Sequence, residues 1–429
     1  MRRLTWGLAA SLPILLVLPP PITLRLFAGA NPIHAWPVLW LLAAGTVAFA
    51  VLVAQRSWPL GLFFAWGAAT TLIAGLPTRA VLLLAEIVVV LSGYLVLAAL
   101  PAEADRWLWK GLALAAGIAA VTGFEDRLGT AFVTNGLVAL AGAIVTPFGW
   151  TTLPSDPTTL GLVMYERDAI QQGHRWVPSF LAGRAQGLLG HPNYLGVFLA
   201  LALPACWAAL PWRWARWVAA GGLVTVIALS RSRTAVLAVV CLAVATWGPG
   251  LLRRARRAPR AGVIVMAAGI VAVMTATIVV LRGGVPLWPP SLSGVTFSGR
   301  LWGWRLGLEA ALGAPWIGWG LGQWSRWAQW DHGPIAKQIG TSSGWWETAF
   351  SEPLQVFFEL GAVGLLLGAL ALGQAVWDAV RHRHLPGGQI WGGILLVGVL
   401  AMWTTSVFHV PVLAVPILMA AARLRARSA

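Results

Sequence analysis

Apolar runs of membrane length, separated by short polar turns, occupy almost the whole chain. About 20 apolar residues carry a helix across a bilayer. Runs near 8–27, 36–54, 59–76, 80–99, 107–123, 193–211, 216–230, 234–250, 261–281, 352–377, 389–408 and 410–423 approach that length. They predict an all-α polytopic protein of about twelve spans, the last short and proline-containing. Two mixed inserts break the pattern, at 125–192 and 282–351. The first contains another apolar run, 128–147, whose placement depends on the charges.

Only 10% of the residues are charged and 58% are hydrophobic, with mean hydropathy +0.76. A soluble domain carries about 25% charged residues, so most of this chain faces lipid or its own interior. Thirty Lys and Arg against 14 Asp and Glu give a net charge of +16. Such an excess suits nucleic acid, anionic lipid or an anionic substrate. Its placement decides against nucleic acid: RRARRAPR (253–260), RHRH (381–384) and RLRAR (423–427) each lie just outside an apolar run. Clustering of this kind marks the cytoplasmic side of a membrane protein.

Counted back from the C-terminus, these clusters put 282–351, the Arg231–Arg233 corner and 149–192 outside. Counted from a cytoplasmic MRR start, five spans also bring Phe124 outside. The two counts agree only if 128–147 does not cross and is interfacial or re-entrant, a placement tolerated where protein covers the backbone. Both termini are then cytoplasmic, and the first apolar run is an uncleaved span. The predicted regions are 1–124 (N-terminal spans), 125–192 (external or interfacial), 193–281 (central spans with an external Arg hairpin), 282–351 (large external loop) and 352–429 (C-terminal spans). Cys206 and Cys241 sit in apolar runs and read as small core hydrophobes.

On the outer side, arginine needs another reason to be present. Arg184, Arg231 with Arg233, and Arg300 with Arg305 come from three separate regions predicted to share that face. Arg offers a planar donor fork that matches phosphate oxygens, so together they suit a diphosphate; singly, each also suits a lipid headgroup or a neighbouring acid. Downstream of Ser298, Leu301, Trp304, Arg305 and Leu308 share one side of a predicted helix lying along the membrane surface. Ten of the 27 Trp fall between Arg282 and Phe350. Some serve as interfacial anchors, while Trp302, Trp304, Trp345 and Trp346 are candidates to stack on sugar rings. GWGLGQW (318–324) lacks the strand and helix of a dinucleotide loop, so its glycines predict a tight turn. His332 beside Asp331 is the best-placed titratable base in the large loop, while Glu352 opens the next span and Glu359 lies deeper in it, a candidate for function within the membrane. No His or carboxylate pair has metal-ligand spacing, so neither metal nor cofactor is expected.

Four blocks in order resemble the O-antigen ligase/Wzy-type polymerase superfamily of bacterial envelope glycosyltransferases. They are GRAQGLLGHPNYLGVFLALALP (183–204), LSRSRTAVLAV (229–239), SGRLWGWRLGLEAALGAPWIGWGLGQW (298–324) and SEPLQVFFELGAVGLL (351–366). The resemblance implies a GT-C-type helical fold in the bacterial inner membrane, with 282–351 as a periplasmic loop containing short helices. It implies an undecaprenyl-diphosphate-linked glycan as donor and a glycan or lipid A-core-like hydroxyl as acceptor, among membrane lipids. Carried across, it puts Arg184, Arg233 and Arg300 on the diphosphate. One departure stands out. The family's His-(Asn/Ser/Gln)-x9-Gly-x-x-Gly pattern falls on Phe350, Ser351, Gly361 and Gly364. Phenylalanine takes up no proton. Either His332, Glu347 or Glu352 supplies the base, or the diphosphate leaves with little base help, or the member has diverged. A transporter or non-catalytic binder of the same anionic lipids is the rival reading; it predicts inverted repeats of broken helices in place of a long loop.

Overall fold

The computed structural model describes residues 45–73, 77–128, 185, 189, 191–257, 303–324, 327 and 349–428. Among these residues every regular element is helical. In chain order they are α1 (Gly45–Ala54), α2 (Trp58–Ile73), α3 (Pro77–Ala99), α4 (Asp105–Leu128), α5 (Pro192–Ala209), α6 (Arg213–Ser230), α7 (Arg233–Arg257), α8 (303–311), α9 (Glu352–Arg381), α10 (Pro386–Met402) and α11 (Pro411–Arg425). All but α8 fall on predicted apolar runs. Proline opens α5, α9, α10 and α11 within the first turn, where its missing N–H costs nothing. The segments Ala102–Glu125, Pro192–Ala209 and Glu352–Arg381 are long and apolar enough to cross a membrane. This is a membrane protein. The predicted spans near 8–27 and 261–281, and nearly all of 128–147, lie outside the described residues.

Helix α5 is the centre of the core: its residues from Leu195 to Ala202 are buried throughout, packed among α4, α6, α7, α10 and α11. Small residues permit the approach, as they do in membrane bundles generally. A methyl group on Gly196 would collide with Ser230 and Ser232, so α5 lies directly against the turn between α6 and α7. Cys206 is buried and Cys241 half-buried, and both are free thiols within this packing.

Contacts between chain ends sort the bundle into two ends. At the basic end, Arg423 is buried, with its guanidinium donating to Asp105 Oδ1 at 2.6 Å. It also donates to the carbonyls of Leu97, Leu100 and Pro101 at 2.8, 2.6 and 2.9 Å. Arg427 takes the other Asp105 oxygen. Arg425 bonds the Arg56 carbonyl at 2.6 Å and lies 3.5 Å from Asp378. The RLRAR cluster, expected to set topology, thus also clasps the C-terminal helix to the turns after α3 and before α2. A buried charge is tolerable because a carboxylate and three carbonyls surround the Arg423 guanidinium.

The opposite end carries the α6–α7 turn, the start of α9 and the turn after α10. There, α9 is interrupted. Gly361 has φ +67° and ψ −170°, so the helix breaks after Leu360. An intact helix would pair the Ala362 and Val363 amides with the carbonyls of Phe358 and Glu359. Instead a loop segment inserts and satisfies all four groups. Trp319 and Gly320 donate to the Phe358 and Glu359 carbonyls at 2.9 and 2.8 Å. Ala362 and Val363 donate to the carbonyls of Pro315 and Trp316 at 2.7 and 3.3 Å. The Leu360 carbonyl, at the break, accepts from the Trp66 indole of α2 at 2.9 Å. Non-helical backbone inside an apolar span survives only when its polar groups are paired in this way.

Candidate active site

The arginine hairpin is built by its own serines. Arg231 caps α6 in the left-handed region (φ +54°) and donates its N–H to the Ala228 carbonyl at 3.0 Å. The Ser230 hydroxyl donates back to Ile227 at 2.7 Å, and Ser232 Oγ accepts from Ala235 N at 3.4 Å at the start of α7. The turn is therefore only a few residues long, and Arg233 stands exposed at the first position of α7. Ala185 donates its N–H to the Leu229 carbonyl at 3.2 Å. This fixes the residue after Arg184 against the same hairpin. Beside it, His191 caps α5 by accepting from Asn193 N at 3.2 Å and packs on Tyr194, ring centroids 4.5 Å apart.

A second contact leads from the hairpin to the corner between α10 and α11. The hydroxyls of Thr234 and Thr404 are 2.5 Å apart. Ser406, two residues on, donates to Gln355 Oε1 at 2.9 Å, and Phe408 N donates to Glu352 Oε2 at 3.1 Å. Glu352 and Gln355 are both buried on the first turns of α9. The corner thereby joins the arginine hairpin to the helix that ends the large loop.

The loop's last residues are pinned from two sides. Ala349 donates its N–H to Gln355 Oε1 at 3.0 Å, and its carbonyl accepts from the Trp304 indole at 2.7 Å. Phe350 follows with φ +51°, a conformation that costs a bulky L-residue about 1–2 kcal/mol. This strained residue occupies the position where the sequence pattern calls for histidine. Deeper in α9, Glu359 Oε1 accepts from Gln355 Nε2 at 3.2 Å and from Trp324 N at 3.3 Å. Trp324 is fully buried, its ring 5.2 Å from Phe358 and 5.1 Å from Trp327.

Of the face of α8 predicted to lie on the membrane, Trp304 is half-buried and turned to the loop end, whereas Arg305 and Leu308 are exposed. The packed face is Gly303, Gly307 and Ala311, and a methyl group on Gly307 would strike the Trp324 ring. Arg305 bonds Glu309 one turn on at 2.9 Å, with its side chain 78% exposed. An exposed pair of that kind is worth only about 0.3–0.5 kcal/mol.

Of the sequence-derived candidates, the described residues thus place Glu352 and Arg233 on two elements joined by the 404–408 corner, and Trp304 against the loop end. Arg184, Arg300, His332, Glu347, Trp302, Trp345 and Trp346 lie outside the described residues. Sequence reasoning missed Gln355, Thr404 and Ser406; the only available signal was polarity within otherwise apolar segments.

The hairpin, α7, α8, the inserted loop and the broken part of α9 all fall in one stretch, residues 218–369, that matches the family model for O-antigen ligase. These residues resemble an O-antigen ligase domain. The match covers part of the chain and supports the O-antigen ligase/polymerase superfamily that its motifs resemble. No curated protein matches the chain. The match supports a membrane function of the O-antigen ligase/polymerase type in general and is in keeping with a glycosyltransferase-like enzyme. The Ala185 contact and the 404–408 corner lie beyond the matched stretch.

Proposed function

We propose that this O-antigen ligase domain works in a bacterial inner-membrane protein of about twelve spans and GT-C-type architecture. In this reading it transfers an oligosaccharide from undecaprenyl diphosphate to a hydroxyl of a glycan or lipid A-core-like acceptor on the periplasmic side, as a polymerase or ligase. Both termini are cytoplasmic, and the hairpin end of the bundle is periplasmic. The observation that carries the reading is the continuous set of contacts from the Arg233 hairpin through Thr404 and Ser406 to Gln355, Glu352 and the end of the loop.

In the reaction, the acceptor hydroxyl oxygen attacks the anomeric carbon of the donor sugar. The bond from that carbon to the phosphate oxygen breaks, and its electron pair leaves on undecaprenyl diphosphate. Arg233, with Arg184 and Arg300, stabilises the charge that grows there. Arg305, spent on Glu309 at the surface, contributes less. The hydroxyl proton passes to a carboxylate, for which Glu352 is the candidate among the described residues; His332 and Glu347 are the others. Trp304 closes the loop over the site, with Trp302, Trp345 and Trp346 as glycan contacts.

Two measurements test this. Purified protein in vesicles, given undecaprenyl-diphosphate-linked oligosaccharide and hydroxyl acceptors, should form a new glycosidic product. Movement of a labelled donor across the bilayer without product would instead establish the transporter reading. Phe350→His should change the transfer rate by no more than about threefold, since general-base gains of 10²–10⁴ are expected only where a site lacks a base. A large gain would assign the base to position 350.

A further inference from the structure

We infer that Gln355 is a positioning residue: its single amide locks the end of the loop, the 404–408 corner and the broken helix α9 into one geometry. The inference rests on the reading of this end as the transfer site.

The amide is 1% exposed. Its oxygen accepts two bonds, from Ala349 N on the loop at 3.0 Å and from Ser406 Oγ on the corner at 2.9 Å. Its nitrogen donates to Glu359 Oε1, one turn along α9, at 3.2 Å. The same Glu359 oxygen takes Trp324 N from the loop segment that enters the helix break. A peptide N–H only donates, so the Ala349 contact leaves the amide one orientation. A flipped amide would set its NH2 against the Ala349 amide and its oxygen against the carboxylate.

The Gln355 side chain thus joins the loop end, the corner and α9, and reaches the inserted loop segment through Glu359; the loop end and the corner border candidate reacting groups. Ala349 precedes the strained Phe350 and lies three residues before Glu352; Ser406 lies two residues from both Thr404, which touches the Arg233 hairpin, and Phe408, which bonds Glu352. Gln355 itself is buried beneath these groups, so it acts through them. Misplacing reacting groups by about 1 Å costs up to about 10²-fold in rate. A residue of this kind governs kcat more than donor affinity.

The test uses the full-length protein in vesicles. Gln355→Leu removes both polarities at similar size; kcat per folded protein should fall about 30-fold with donor KM within about threefold. Ser406→Ala, which leaves α9 intact, should lower kcat in the same sense by a smaller factor. Gln355→Glu sets two carboxylates together and should lose activity, and the exchange Gln355→Glu with Glu359→Gln should recover most of it. Hydrogen exchange at the Ala349 and Trp324 amides supplies a readout independent of activity, and both should accelerate in Gln355→Leu. Unchanged kcat in Gln355→Leu overturns the inference, as does a loss that tracks the folded fraction or an exchange variant no better than Gln355→Glu. If the wild type transfers no glycan, the proposed function fails. Amide exchange then decides alone: acceleration supports the lock, and unchanged exchange refutes it.

Discussion

Arg233→Ala should lower glycan transfer by about 10²–10³-fold, the loss seen when one preorganised donor is removed from a developing negative charge. Arg233 is exposed at the first position of α7, held there by a turn whose serines cap both flanking helices. Nothing in that turn requires a guanidinium, so the fold should survive the change. Arg233→Lys should retain part of the activity, because the charge remains and the bidentate fork is lost. Arg305→Ala should cost much less, since Arg305 is already engaged with Glu309 at the surface. Initial rates at matched folded protein check all three. Equal losses at Arg233 and Arg305 would separate the hairpin from the reaction.

Gly361→Val should destabilise the protein more than any change on its surface. The left-handed backbone at Gly361 costs a β-branched residue about 1–3 kcal/mol, and overpacking a close contact adds about 1–3 kcal/mol, a total on the order of 4 kcal/mol. The contact here is backbone: a methyl group at Gly361 would strike the Trp316 carbonyl, and one at Gly318 would strike that of Glu359. Relief therefore requires the loop to withdraw, which strands the four hydrogen-bonding groups exposed by the helix break. Gly373→Ala on the same helix meets open space and should change stability by less than about 1 kcal/mol. Thermal unfolding in detergent distinguishes the two. Similar melting temperatures for both variants would show that the loop does not depend on the break.

The spans were legible because apolar length in a bilayer is a one-dimensional property, and every described long helix lies where a run predicted it. The arginine hairpin was legible for a related reason: charge on the side where the predicted topology does not call for it stands out. What escaped was three-dimensional. ELGAVG reads as uninterrupted span, since glycine is common in membrane helices, and only the loop pressed against it explains the break. The tight turn expected of GWGLGQW is present, with Gly318, Gly320 and Gly322 all at positive φ, but its docking partner could not be foreseen. The protein-facing side of α8 was not foreseen because periodicity weighs apolar side chains. There the packed face is two glycines and an alanine that make room for Trp324. Gln355 was passed over as one polar residue in a hydrophobic stretch, although burial makes its hydrogen bonds obligatory.

Photo-crosslinking of the lipid-linked donor tests most directly whether the hairpin, the corner and the start of α9 form one diphosphate-linked glycan site. With a diazirine placed beside the diphosphate, adducts should map to peptides around 231–234, 349–355 and 404–408. They should weaken in Arg233→Ala. Adducts confined to the basic end near Arg423, or unchanged in yield and position in Arg233→Ala, would contradict the account.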